Sequence, residues 1–472
     1  MILKFLQNKY FQLGLILFIS SFIIFNNLGQ ATVFDWDEAR YGVNALEIIK
    51  NDHWIALHYN GYPDLYNVRP PLGAWLIAMS FTIFGFSEFA LRFWSALFAV
   101  LTVGLVYLIG INFANKKTAF FSSLVLLTSS QFINFGVARS ADYNSGIIFF
   151  ITLTNFLFLC GIKTNKKNYF LLTAVSLALG FLYKSIMGLI PLFLIVLFLL
   201  VTRNLKKYPL RDYIHSTILF LALVLPWLIV RYIAGRDFFV NMLKFDFYQR
   251  LMQGVEGNIG GLGYYFEVIY RGFSPWYILI VFALAFSIYY AYKKKSYFHT
   301  YLTIWILVIF IAMTAFQTKL PHYIALIYPA IALMIGSFFD KLYDIGKNRK
   351  YLYVVTTLLF LVFLYYGIIG INKVINQKIQ PFLFVENIKT SKENFTQINN
   401  LYTDKILRQS ELFYLESMVP GQILYCNYMD KCDLKAGDGL LFKDKNQKDQ
   451  LSQIEELDLI LEQPSFLLYK GL

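Results

Sequence analysis

Apolar runs of about 20 residues recur along the chain, separated by short stretches that carry lysine or arginine. Built as a helix, a run of that length crosses a hydrocarbon core about 30 Å thick. Eleven full spans are predicted, near 11–28, 89–111, 118–135, 143–161, 168–184, 186–202, 213–233, 275–292, 299–316, 322–340 and 351–371. The first, Phe11 to Leu28, is too long for a signal-peptide core and lacks an Ala-x-Ala-like cleavage site. It reads as a retained helix with Lys4 and Lys9 on the cytoplasmic side, which predicts an amino terminus inside.

The basic clusters Lys116-Lys117, Lys163/Lys166/Lys167, Arg203/Lys206/Lys207/Arg211, Lys293-Lys294-Lys295 and Lys347/Arg349/Lys350 then share one face, the cytoplasm. Leu72 to Phe84 does not fit the count. Its 13 residues make a helix of only about 20 Å, and a crossing there would move every later cluster to the wrong side. We read it as an interfacial or re-entrant helix inside one outer loop, 29–88. A second outer loop spans 235–273, and the chain divides into a transmembrane domain, 1–371, and an extracytoplasmic domain, 372–472. In that tail, Gln422–Tyr425, Leu440–Phe442 and Phe466–Tyr469 read as strands and Lys448–Leu461 as helix, which predicts a small α/β fold.

Composition agrees with a polytopic membrane protein: 57% of the 472 residues are hydrophobic, 15% are charged, and the mean hydropathy is +0.53. The net charge of +13 divides unevenly, because 372–472 holds 12 Lys+Arg and 14 Asp+Glu and the rest is therefore +15. Basic residues beside spans set orientation, and no basic, aromatic-interleaved face calls for nucleic acid. Three cysteines cannot form a disulfide framework. Cys160 lies in an apolar run, and Cys426 with Cys432 would pair only if the tail is outside the cytoplasm. The chain shows no internal repeat, no phosphate-binding glycine loop after a strand and no zinc-type Cys/His spacing.

Candidate chemistry gathers on the outer face. Phe34-Asp35-Trp36-Asp37-Glu38-Ala39-Arg40-Tyr41 packs three carboxylates and an arginine beside the first span. Asp35 and Glu38 have the spacing of a capping box, whereas a third acid in that turn, Asp37, adds repulsion without capping and is the candidate general base. Arg69 precedes Pro70-Pro71 and the short helix, whose free N–H groups form an anion site suited to a phosphate at the membrane surface. Arg139 with Asp142, Lys184, Arg250, and Lys319 with His322 and Tyr323 fall at other outer helix ends. The positive-inside tendency disfavours cations there, so together they imply an outward-facing anionic ligand. A transporter or lipid flippase would instead place its ionisable groups near the midplane.

Asp37-Glu38-Ala39-Arg40-Tyr41, Tyr59-Asn60-Gly61-Tyr62-Pro63, Arg69-Pro70-Pro71-Leu72, Phe84-Gly85-Phe86-Ser87-Glu88-Phe89-Ala90-Leu91-Arg92 and Lys319-Leu320-Pro321-His322-Tyr323 followed by Tyr328-Pro329-Ala330 cover most of 30–340 in order. This series resembles the GT-C integral-membrane glycosyltransferases of the protein O-mannosyltransferase and lipid A aminoarabinose transferase (ArnT-like) type. The resemblance implies an all-α polytopic GT-C fold of about 11–13 transmembrane helices with the small α/β outer domain. It also implies an inverting transfer of a sugar from a polyprenyl-phosphate donor to a lipid or protein acceptor, by a monomer in a bacterial inner membrane. The catalytic carboxylate maps to Asp37, beside Glu38, with Asp142 contacting sugar or acceptor. Lipid-phosphate contacts map to Arg69, Lys184, Arg250 and Tyr323, joined by Lys319 and His322, with Arg40, Tyr41 and Arg139 in support. The chain departs from the aminoarabinose enzymes at Val68-Arg69, where they have Glu-Lys, and at Asp246 to Gln249, which lack a His before Arg250. These departures remove the acid and His that would hold a divalent metal. Ser185 also stands where a glycine often follows the lysine.

Overall fold

In the computed structural model the described residues are 8–134, 136–204, 208–236, 240–242, 244, 253–254, 257–347, 350–376, 383–426, 434–443 and 457–471. The chain forms two compact units. The first holds Met1–Leu28, Val68–Gly73 and Arg92–Gln377, and the second Gly29–Asn67, Ala74–Leu91 and Lys378–Leu472.

The first unit is helical. Among the described residues, seven helical runs are long and apolar enough to cross a membrane, or eight when Tyr264–Gly272 and Tyr277–Lys293, bent by 111°, count as one span. The difference from eleven lies in how helices break. The expected 118–135 span is two helices, Lys116–Leu127 and Ser130–Ile133. At the break, Thr128 Oγ1 donates back to Leu124 O and accepts from Trp276 Nε1, so tertiary partners satisfy the interruption. The first span is the apolar helix Lys9–Phe25 of 17 residues, at the short end of the spanning range.

The expected spans 168–184 and 186–202 are two helices, Lys167–Lys184 and Ile190–Val201, joined by a 3-10 turn at Ser185–Leu189 and counted together as the run Lys167–Val201. It is not straight. Ser185 takes φ 53°, and the backbone of Gly188 lies against that of Gly180, whereas eight residues of straight helix would separate them by about 12 Å. The chain therefore turns back at Lys184–Ser185. Small residues also allow close packing elsewhere, as a Cβ on Gly336 would meet Ser122 Oγ at 2.1 Å. Helices Leu210–Ala234 and Tyr351–Ile375 have only 17% of their apolar windows buried and so turn apolar side chains outward.

In the second unit a five-stranded sheet has order β4-β3-β5-β7-β6, built from β3 (Leu401–Thr403), β4 (Ile423–Tyr425), β5 (Gly439–Phe442), β6 (Leu457–Gln463) and β7 (Phe466–Gly471). Strand β3 runs parallel to β4 and β5, and β7 antiparallel to β5 and β6. The expected strands are present, but residues 457–461 of the expected helix are strand, with an irregularity in the register between Leu459 and Leu461, and residues 448–456 of it lie outside the described residues. An antiparallel ribbon of β1 (His58–Tyr59) and β2 (Tyr62–Pro63) belongs to the same unit. Helix Asp37–Asn51 packs on helix Gln409–Met418 through Gly42, where any Cβ would strike the Phe413 ring at 2.3 Å. The short helix is Leu72–Phe84, with the bounds its apolar run predicts. Cys426 is disulfide-bonded, Cys160 is a free buried thiol, and Cys432 lies outside the described residues.

Candidate active site

In the second unit the acidic cluster is divided by role. Helix Asp37–Asn51 begins at Asp37, preceded by Trp36 at φ 73°. The expected capping box does not form. Asp35 Oδ1 instead accepts from Ser410 N at 3.0 Å and Ser410 Oγ at 2.5 Å, capping helix Gln409–Met418. Glu38 is 1% exposed and its Oε2 accepts from Phe34 N at 2.9 Å, so it clamps the turn that presents Asp37. Asp37 itself is half-buried at the first helical position.

Three residues further on, Arg40 is held by Asp64. Arg40 Nε donates to Asp64 Oδ2 at 2.8 Å and Nη2 to Oδ1 at 2.7 Å, with the guanidinium 4.4 Å from the Tyr59 ring centroid and 4.6 Å from that of Tyr66. Asp64 also accepts from Asn44 Nδ2 and from the Tyr66 and Asn67 backbone N–H groups. This one carboxylate therefore fixes the chain immediately before Arg69. Tyr41 is fully buried.

The first unit assembles the cations. Asp142, Tyr143 and Asn144 are consecutive, and each serves a different partner. A Cβ placed on Gly136 would lie 3.8 Å from Asp142 Oδ2 and 4.0 Å from His322 Nδ1, so the carboxylate and imidazole face the same point. Tyr143 carries the Arg69 guanidinium 5.9 Å above its ring, and Gly73 permits that ring's approach, since a Cβ there would meet it at 2.5 Å. Asn144 Oδ1 accepts from Lys184 Nζ, while its Nδ2 donates to Gly136 O at 2.6 Å. Ser140 Oγ orients Asp142 by donating to Oδ2 at 2.9 Å.

Two expected phosphate or support residues have other work. Lys319 is 4% exposed, and its three N–H donors go to Met313 O, Thr314 O and Phe316 O, the carbonyl end of helix Tyr297–Ala315. Arg139 caps helix Lys9–Phe25 by donating to Ile24 O, Asn26 O and Asn27 O. Tyr323 is buried and lines an apolar cavity of about 490 Å3, walled by Ile186 to Phe193 and by Val308 to Phe316. Lys184 stands two residues before that wall. Arg250, with Asp246 to Gln249, lies outside the described residues.

Backbone strain falls beside these groups. Among the described residues, five non-glycine residues other than Asn and Asp have positive φ, namely Trp36, Tyr143, Ser185, Arg203 and Lys295. Three of the five adjoin Asp37, Asp142 and Lys184. Such conformations cost about 1–3 kcal/mol each and persist where surrounding structure over-determines them.

The family described as dolichyl-phosphate-mannose-protein mannosyltransferase matches residues 68–230. A protein of Aquifex aeolicus is 28% identical over 321 residues, covering 68% of this chain and 62% of its own length. The undecaprenyl phosphate-alpha-4-amino-4-deoxy-L-arabinose arabinosyl transferase of Wigglesworthia glossinidia brevipalpis is 24% identical, covering 68% of this chain and 57% of its own. The alignments thus span about three fifths of these relatives. The crystal structure of ArnT from Cupriavidus metallidurans bound to undecaprenyl phosphate superimposes with a TM-score of 0.76 over 97% of both chains, at 15% identity. The chain has the GT-C fold of the ArnT type.

Within this ArnT-type fold, Asp64 and Asn144 are the positioning residues that sequence reasoning missed. Asn144 opens a membrane-length helix, where an amide reads as an ordinary terminal residue. Asp64 sits in a loop with no period to mark it. Its signal was available only as the Asn60-Gly61-Tyr62-Pro63-Asp64 turn following an arginine and asparagine one helical turn apart.

Proposed function

We propose that this chain is a glycosyltransferase that moves a sugar from a polyprenyl-phosphate donor to an acceptor, with inversion, at the outer face of a bacterial inner membrane. The observation that carries the reading is the apolar cavity beside Tyr323, whose wall begins two residues after the buried Lys184: a lipid tail and a phosphate need an apolar surface and a cation close together. Asp37 accepts the proton of the acceptor nucleophile as it attacks the anomeric carbon. Arg69 and Lys184 stabilise the phosphate as it departs and gathers negative charge. Asp142 and His322 hold the sugar or acceptor, while Glu38, Arg40, Arg139 and Lys319 keep the framework in place.

The acceptor is a glycolipid such as lipid A or a protein hydroxyl; the matching family's description names a protein acceptor. Residues 1–371 carry the donor site, and the tail 372–472 is extracytoplasmic. The disulfide-bonded Cys426 supports that placement, since such bonds persist in oxidising compartments. Purified protein incubated with a labelled polyprenyl-phosphate sugar and membranes tests the reading. Label covalently attached to an acceptor supports a transferase, and label moved between leaflets without attachment supports a transporter.

A further inference from the structure

Helices Lys167–Lys184 and Leu210–Ala234 run side by side in the same direction: Phe170 meets Tyr208 with ring centroids 5.2 Å apart, and Phe181 meets Phe220 at 6.4 Å. Near their amino-terminal ends lies a cavity of about 310 Å3, closed by Phe158 and Ile195. It sits at the opposite end of helix Lys167–Lys184 from Lys184 and shares no lining residue with the cavity at Tyr323. The mechanism above does not use it.

Its wall changes character along its length. Asp212 and Ser216 stand in the first two turns of helix Leu210–Ala234, and Phe220 and Leu221 lie a turn deeper. Asp212 Oδ1 and Ser216 Oγ are buried with no hydrogen-bond partner among the described residues. Orphaned polar atoms are costly in an apolar setting, so the site fits a ligand with a donor-bearing head and a hydrocarbon tail. Arg211, exposed and next to the lining residue Asp212 in the chain, places its Nε 3.8 Å from Asp212 Oδ1. The helix starts after Pro209 with no side-chain cap. A cation and a carboxylate on adjacent residues complement a head that bears a phosphate next to an N–H donor cation.

We propose that this cavity is a binding site for a phospholipid with a phosphate and a primary ammonium in its head, phosphatidylethanolamine. One acyl chain lies along Phe220 and Leu221, the phosphate meets Arg211, and the ammonium donates to Asp212 and Ser216. A glycerol head supplies no cation for Asp212, and a choline head supplies no N–H.

The test is native mass spectrometry of the whole protein reconstituted in vesicles of equal phosphatidylethanolamine, phosphatidylglycerol and phosphatidylcholine, then gently extracted. The wild type retains phosphatidylethanolamine about tenfold over either competitor, the ratio expected of one charge-assisted hydrogen bond. Asp212→Asn brings the three lipids to parity, and Ala174→Trp, which fills the cavity, removes the retained lipid. Equal retention of all three by the wild type, a preference for phosphatidylglycerol, or an unchanged preference in Asp212→Asn overturns the proposal. If Ala174→Trp fails to fold, Asp212→Asn decides alone.

Discussion

Lys184 Nζ donates to Asn144 Oδ1, and both side chains are about 95% buried. The contact joins the end of one membrane helix to the start of another, and it fixes the lysine two residues before the wall of the cavity at Tyr323. Lys184→Met keeps the stem and removes the charge. If Lys184 stabilises the leaving phosphate, kcat/KM for the donor falls by about 10²–10³ while the protein stays folded. Asn144→Leu leaves the lysine in place without its acceptor, and its main cost is about 1–3 kcal/mol of stability. Steady-state kinetics and thermal unfolding in detergent separate the two effects.

Arg40 and Asp64 form a bidentate pair whose carboxylate has no exposed side-chain surface. Arg40→Ala leaves that charge buried with one fewer compensating partner, so it is expected to destabilise by about 3 kcal/mol. Arg40→Lys restores the charge without the planar fork or the stacking on Tyr59 and Tyr66, and recovers only part of the loss. Hydrogen exchange across 57–67 reports where the loosening occurs.

Ser185 occupies φ 53° and ψ −137°, a region that suits glycine. Ser185→Gly removes that strain and raises stability by up to about 1 kcal/mol, at unchanged donor KM. An unchanged or lower unfolding midpoint contradicts the strain argument.

Glu416, on helix Gln409–Met418, is pushed up to about 8 by burial and then by the nearby Glu47, against the opposing pull of Lys50. The ordinary value is 4.5, so between about pH 4.5 and pH 8 the folded chain keeps a proton that the unfolded chain has lost. Stability is therefore fullest below that window and falls as pH rises through it, by at most about 1.4 kcal/mol per pH unit. Glu416→Gln flattens the dependence, which unfolding midpoints across pH 5 to pH 9 check.

Much of the fold was legible because membrane helices need long apolar runs and strands need alternation. Leu72–Phe84 and the strands at 423–425, 439–442 and 466–471 lie where the pattern puts them. Breaks were not legible: Thr128 ends a helix because Trp276, distant in sequence, donates to its hydroxyl. The candidate residues were legible as charges out of place, but a side chain's partners are a tertiary fact. Lys319 reads as a phosphate ligand in sequence and folds as a helix cap. Asp35 reads as the cap of its own helix and caps one 375 residues away.

Asp37 carries the account's central claim. The most direct measurement is sugar transfer from a labelled polyprenyl-phosphate donor by Asp37→Asn, beside donor binding and the unfolding midpoint of the same protein. The account predicts that transfer is lost while donor binding and stability stay near wild type. Wild-type transfer by that variant would contradict it.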